Sequence, residues 1–264
     1  MPNLSKESAR TFADQFRSAR LNALADAEAF DQIIHVVERL GSYLTKEELG
    51  DKGETGSLGK YRCTLNEFVK SRGASLDVRA EFKNQLTPFG TLYDLVKDAR
   101  NDALHQGAFA RHLTKHAIEL AIILEDVLSV DLDLNVTDFM VRNPVCGEPW
   151  QPIAFLRQQM LANSYSYLPV LRSDDQWCVI SDAAIATFLG SKRKGAERTK
   201  RLAMTVESAS EQHENPISLM APEFVDEGDT LDTAFDRLKV SPILLVRNPH
   251  GVGLLGILTA FDLL

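Results

Sequence analysis

Three side chains set close together, Arg100, Asn101 and His105, have the types and the spacing to act on a phosphodiester. They lie in the string Ala99-Arg100-Asn101-Asp102-Ala103-Leu104-His105-Gln106-Gly107. At about 100° per residue they fall at roughly 0°, 100° and 140°, on one side of a helix. A guanidinium there clamps phosphate, an amide positions, and an imidazole carries a proton near neutral pH. No metal is needed for the expected reaction. His105 moves a proton as a ribose 2′-hydroxyl attacks the neighbouring phosphorus, Arg100 stabilises the charge building on the phosphoryl oxygens, and Asn101 orients His105 or the phosphate. The products would carry a 2′,3′-cyclic phosphate and a 5′-hydroxyl, and DNA would survive. The plainer alternative is that Asn101 and His105, four residues apart, hydrogen-bond at a helix surface. With six His in the chain, an Arg five residues before a His arises by chance about 0.3 times, and requiring Asn after that Arg lowers this to about 0.01. His112, His116 and Glu119 form a second candidate, a metal face on one helix. It lacks a fourth ligand and an H-E-x-x-H pattern, which leaves ordinary exposed histidines as the better reading.

The elements that must hold these groups are helical. Segments 4–19, 21–40, 64–70, 88–106 and 112–129 show apolar residues at steps of three and four, clearest in Leu113, Ala117, Leu120, Ala121, Ile123, Leu124, Val127 and Leu128. Residues 49–60 are Gly-rich and polar and read as a loop. The fold class that follows is α + α/β, with an all-helical bundle over 1–132 and a second domain over 133–264. Arg100-Asn101-x-x-x-His105, followed by Gly107 and set in two long helical segments, resembles the R-N-x-x-x-H signature of the HEPN all-helical domains. Many members of that superfamily are metal-independent endoribonucleases, and others are binding modules or toxins paired with nucleotidyltransferases. The resemblance also implies two such helices meeting across a two-fold axis, so that a homodimer pools two His105 side chains for acid and base.

Beyond residue 135 short apolar runs alternate with helix-length segments. Tyr167–Leu171 and Trp177–Ile180 read as strands with Asp174-Asp175 in the turn, and 242–246 and 253–258 repeat the pattern around Asn248-Pro249-His250-Gly251. Amphipathic helices at 150–162 and 229–239 precede the two pairs. This internal repeat, 136–190 and 216–264 with a linker over 191–215, resembles a tandem pair of CBS domains. The resemblance is carried by Asp138-Phe139-Met140, Tyr167-Leu168-Pro169-Val170 and Val179-Ile180-Ser181, and again by Ser218-Leu219-Met220-Ala221-Pro222, Ser241-Pro242-Ile243-Leu244-Leu245 and Gly256-Ile257-Leu258-Thr259-Ala260-Phe261-Asp262.

It implies an adenine nucleotide (ATP, ADP or AMP) as regulatory ligand at Thr259, Asp262, Ser241 and Ile243, with Thr259 and Asp262 on the ribose. In the first copy Ser181 persists but Ala184 stands where the Asp would be, so one competent site per chain is expected. Ala260 and Phe261 bring no basic side chain to a phosphate. With Leu264 two residues past Asp262, the closing helix of the second repeat is expected to be almost absent. The alternative for Thr259 and Asp262 is a helix cap with a first-turn carboxylate.

Net charge is −8, with 17 basic and 21 acidic residues before position 136 and 12 and 16 after it. This is no footprint for tight duplex binding. The basic cluster 191–201, six basic residues and one acidic, reads as a solvated, mobile linker, with phosphate or RNA contact as the alternative. Cys63, Cys146 and Cys178 are odd in number and lack C-x-x-C spacing, which argues against a disulfide framework and a zinc site. No signal peptide or membrane span is evident, and a cytoplasmic location follows. The function expected is endoribonucleolytic cleavage of single-stranded RNA without a catalytic cofactor, regulated by an adenine nucleotide. The alternatives are a non-catalytic nucleotide sensor whose bundle dimerises or binds a partner, and a toxin neutralised by an antitoxin.

Overall fold

The computed structural model of the protein describes residues 4–49, 57–72, 86–103, 110–190, 195–249, 251 and 253–264, excepting the side chains of 47–49, 101–103 and 110–112. Helices and sheets are both present, in two compact units, Met1–Asp133 and Leu134–Leu264.

The first unit is helical: α1 (Lys6–Ala25), a 3-10 turn (Ala27–Ala29), α2 (Phe30–Leu49), α3 (Leu58–Arg72), α4 (Phe89–Ala103) and α5 (Ala110–Ser129). Ser5 starts α1, its side chain accepting from the Ser8 amide at 3.1 Å. The apolar stripes predicted at three- and four-residue spacing converge, so that Phe16, Ile33, Leu40, Leu44, Leu65, Leu92, Leu120 and Leu124 are fully buried in one core. Helix α5 packs against α1, α2 and α4. At Gly41 a Cβ would stand 2.5 Å from the Tyr61 ring, so glycine sets the close approach of α2 and α3. Inside the bundle Glu125, only 7% exposed, receives Arg20 through two hydrogen bonds of 2.7 and 3.1 Å. A buried carboxylate is tolerated because a guanidinium answers it bidentately. Of the predicted Gly-rich loop, 50–56 lie outside the described residues and 58–60 open α3.

The second unit runs α6 (Val136–Phe139), β1 (Val141–Arg142), α7 (Ile153–Asn163), β2 (Tyr167–Leu171), β3 (Trp177–Ser181), α8 (Asp182–Leu189), α9 (Ala196–Ala203), α10 (Val206–Ser210), β4 (Glu223–Val225), α11 (Leu231–Leu238), β5 (Ile243–Arg247), β6 (Leu254–Thr259) and a 3-10 turn (Ala260–Leu263). The four predicted strands appear within one residue of their expected bounds, and Asp175 takes the left-handed conformation (φ 59°) in the first hairpin.

Along β5, Leu244 and Val246 pack among the core residues of the second repeat, whereas Ile243 and Leu245 join Val179 in a separate cluster shared with the first. Strands covered on both faces read as unbroken apolar runs, and Ile243-Leu244-Leu245-Val246 is one.

The repeats exchange segments. One sheet has the order β1-β6-β5-β4, so the strand that opens the first repeat, β1, lies antiparallel to the last strand of the second, Val141 opposite Ile257. Reciprocally, Met220 pairs antiparallel with Val179 of β3, and Gly147 pairs parallel with Val170 of β2 as β4 does with β5. Gly256 permits the β1 contact, since a Cβ there would meet Met140 Sδ at 2.8 Å and the Val141 carbonyl oxygen at 2.9 Å.

The linker expectation is corrected from residue 195 on. Helices α9 and α10 occupy it, and Val206 and Ala209 are buried in the first repeat's core. Arg198 donates to the Leu189 and Gly190 carbonyls (3.5 Å each) and Arg201 to that of Phe188 (2.5 Å). These are the end carbonyls of α8, where cations are favoured by the helix dipole. Lys192, Arg193 and Lys194 lie outside the described residues.

Candidate functional site

Strand β6 delivers Thr259 to the edge of a cleft of about 590 Å³. Asp262, three residues on, folds back: its Oδ2 accepts from the Thr259 amide at 2.7 Å and from the Thr259 hydroxyl at 2.8 Å. The cap expected as the alternative reading is therefore present. It uses one carboxylate oxygen, and among the described residues Oδ1 has no hydrogen-bond partner. The cap and a ligand contact are thus compatible.

Around this pair the lining is largely apolar and aromatic. Val141 comes from β1, Ile257 from β6, Tyr165 and Tyr167 from the entry to β2, and Phe261 from the final turn. Phe261 is 68% exposed and Tyr165 37%, which leaves aromatic surface free for a flat ring. Ser164 turns the chain into this wall through a left-handed backbone, φ 57°. No Lys, Arg or His occurs in the lining among the described residues. Volume, aromatic walls and a hydroxyl–carboxylate pair suit a base joined to a sugar diol.

Ser241 and Ile243, expected beside Thr259 and Asp262, do not line the cleft, although Ile243 lies directly opposite Thr259 in the β5–β6 register. The Ser241 hydroxyl, in a residue 7% exposed, donates to the Ile243 carbonyl at 2.7 Å, and Ile243 is fully buried between the sheets. Pro242, between them, is the residue that lines the cleft. Val141, Tyr165 and Tyr167 were missed because they belong to the other repeat. The β1–β6 pairing brings Val141 here and packing of β2 against β5 and β6 brings the tyrosines, and no local pattern encodes either.

The first repeat has a corresponding cleft of about 440 Å³. Ser181 stands where Thr259 does, its Oγ accepting from the Ala184 amide at 3.0 Å, and Met220 takes the place of Val141. Ala184 puts a methyl group at the carboxylate position, and Arg201 of α9 joins the lining.

In the bundle, Arg100 sits in the last turn of α4, and its Nη1 is 3.3 Å from Glu38 Oε1 of α2. Asn101 is helical in α4, but its side chain and the whole of His105 lie outside the described residues. The geometry of the three together is therefore an expectation from helical spacing. Glu38 was not singled out from sequence. Its signal is a charge four residues after Ile34 and three before Gly41, on the flank of the buried stripe of α2, where an acid calls for a partner. Burial, and after it the nearby carboxylates of Glu38 and Asp94, hold the Tyr93 phenol well above its ordinary range. It stays a neutral donor, 2.7 Å from the Leu58 carbonyl.

Thiol chemistry has no foothold at Cys178, where burial pushes the thiol up to about 11. Among the described residues no group of three His, Cys, Asp or Glu is placed to hold a metal, and no helix is long and apolar enough to cross a membrane. The side chain of His112 is outside the described residues.

No family model matches the chain, and no curated protein matches it. Solved structures similar to about half of it include a CBS domain-containing protein of unknown function from Bacillus anthracis (20% identity over 49% of this chain and 88% of that one, TM-score 0.39). CBSX2 in complex with AMP is 20% identical over 48% of this chain and 92% of its own, with a TM-score of 0.37. The CBS domain of the bacterial CNNM/CorC family Mg2+ transporter in complex with ATP is 21% identical over 48% and 82%, also with a TM-score of 0.37.

Proposed function

We propose that residues 134–264 are a CBS-type pair that binds an adenine nucleotide at Thr259 and Asp262, and that the bundle, through Arg100, Asn101 and His105, cuts RNA under that ligand's control. The observation that carries the first part is the second-repeat cleft. Asp262 is fixed by Thr259 through one oxygen, while the other is left to accept from ribose hydroxyls between apolar and aromatic walls. A carboxylate acceptor for two hydroxyls discriminates strongly, because a ligand without them leaves a charge desolvated and unpaired. The lack of cations in the lining among the described residues favours nucleoside and monophosphate over longer phosphate chains.

The RNA half rests on Arg100 and the motif around it. Glu38 holds the guanidinium from one side, and among the described residues no other carboxylate pairs with Arg100 to compete with a phosphate. In the reaction the 2′-oxygen forms a bond to phosphorus as the bond to the 5′-oxygen breaks. A base takes the 2′ proton, an acid supplies one to the leaving oxygen, and two His105 side chains in a homodimer fill the two roles.

The test is cleavage of a labelled single-stranded RNA in EDTA, together with calorimetric titration of AMP, ADP and ATP. Wild type, Asp262→Asn and His105→Ala are compared. Losing the carboxylate is expected to weaken nucleotide binding by about tenfold to a hundredfold. His105→Ala should abolish cleavage and leave nucleotide binding intact. Nucleotide binding without cleavage in wild type removes the nuclease and leaves a sensor whose bundle serves a partner. Nucleotide affinity untouched by Asp262→Asn removes the site.

A further inference from the structure

Helices α7, α8 and α9 pack against one another and leave between them a groove of about 740 Å³ that takes no residue from any strand. Its two ends differ in charge. Helix α7 begins beside α9, where the Ile153 amide donates to the Met204 carbonyl at 2.9 Å, and ends near the start of α8, where the Asp182 amide donates to the Ser166 carbonyl at 3.0 Å. Asp182 and Leu161 therefore share one end. Arg157, one turn earlier in α7, and Arg198, bonded to the Leu189 and Gly190 carbonyls, share the other. Between them the walls are apolar, formed by Met160, Leu161, Ile185, Ala186 and Leu189. We propose that this groove binds a small amphiphile, an aliphatic carboxylate whose head meets Arg157 and Arg198 and whose tail lies along α8.

The positive end is unanswered. Among the described residues neither Arg157 nor Arg198 has a carboxylate partner, and Arg198 reaches its two carbonyls only at 3.5 Å. The one acid in the described lining, Asp182, stands at the far end, where its Oδ1 already accepts from the Ala183 amide at 2.6 Å. A planar guanidinium pairs with a carboxylate through two parallel hydrogen bonds, and two guanidiniums hold such a head from both sides. The carbonyls that close α8 lie at this end too, and their partial negative charge offsets part of the cations'. One anionic charge suits that balance better than two, which favours a carboxylate over a phosphate ester. The other end asks for a tail. Leu161 is 65% exposed, and covering it and its neighbours removes apolar surface from water. Helix α8 has eight residues and so runs about 12 Å, which sets the length of tail that fits. The groove and the Thr259 cleft have no lining residue in common, so this inference stands apart from the nucleotide reading.

The test is calorimetric titration of the full chain with octanoate, below its micelle concentration, and with 1-octanol, which has the same tail and no charge. Wild type is compared with Arg157→Gln and Ala186→Phe. Arg157 is exposed and the first variant removes only its charge, while Ala186 is exposed on α8 and the second variant fills the groove. Octanoate is expected to bind wild type at least about tenfold more tightly than 1-octanol, to weaken by about tenfold in Arg157→Gln, and to be excluded from Ala186→Phe. Should Ala186→Phe lose helical circular dichroism, Arg157→Gln decides alone. Absence of octanoate binding in wild type, equal affinity for octanoate and 1-octanol, or an affinity unchanged in Arg157→Gln overturns the proposal. So does a dimer that Leu161→Asp converts to monomers in sedimentation velocity, because a second copy then covers the groove.

Discussion

The carboxylates of this protein differ in what answers them, and that difference sorts structural groups from functional ones. Glu125 is buried under Arg20 and holds α1 to α5. Asp94 on α4 receives both a 2.7 Å and a 2.6 Å bond from Arg62 on α3. Among the described residues Asp262 is bonded only by its neighbour Thr259 and keeps an open oxygen, which is the condition of a group available to a ligand. For Asp94 the consequence is a pH dependence. The Arg62 hydrogen bond, joined by that of Lys97, holds its pKa below the ordinary 3.8 despite partial desolvation. The unfolded chain therefore binds the proton first as pH falls, so the stabilisation is whole above the ordinary value and is lost on descending through and below it. In urea titrations wild type should exceed Asp94→Asn in midpoint at about pH 6, and the gap should close towards about pH 3. A gap constant across that range would mean that the pair contributes through packing rather than charge.

At the scale of the element, what was legible in the sequence is what has a period. The helical stripes of α1 to α5 and the apolar runs of β2, β3, β5 and β6 are long enough to show one. Strands β1 and β4, of two and three residues, are too short, and their partners lie far along the chain. Helix α9 was hidden by composition. Its basic residues look solvated, yet Arg198 and Arg201 turn to the end of α8. Of the candidate site, Thr259 and Asp262 were legible as a spaced pair, whereas the wall contributed by Val141 depends on the exchange and that of Tyr165 and Tyr167 on the packing of one repeat against the other. Gly256 is the residue on which that exchange can be probed. Gly256→Ala forces a methyl against Met140 and the Val141 carbonyl, which is expected to cost about 1–3 kcal/mol in thermal or urea unfolding. It should also reduce nucleotide affinity by displacing the β1 wall. An Ala variant as stable as wild type would show that β1 yields easily.

At the scale of the molecule, Leu134–Leu264 has its own cores and its own sheets. A fragment of those residues is expected to melt cooperatively and to bind nucleotide as the full chain does. A fragment of 134–190 alone should show no cooperative transition, because Val179 would lose Met220 and the core residues Val206 and Ala209 would be missing. A cooperative melt from that shorter fragment would mean that the first repeat is self-sufficient.

The pairing of β1 with β6 also fixes an order of events during synthesis. Val141 leaves the ribosome long before Ile257 exists, so β1 must wait without its partner while the whole of both repeats is made. Pairings this distant close slowly, since the intervening chain must be confined first. Strand β6 is thus the one that completes the cleft, and a chain stalled before residue 254 carries Val141 and Arg142 without their strand partner.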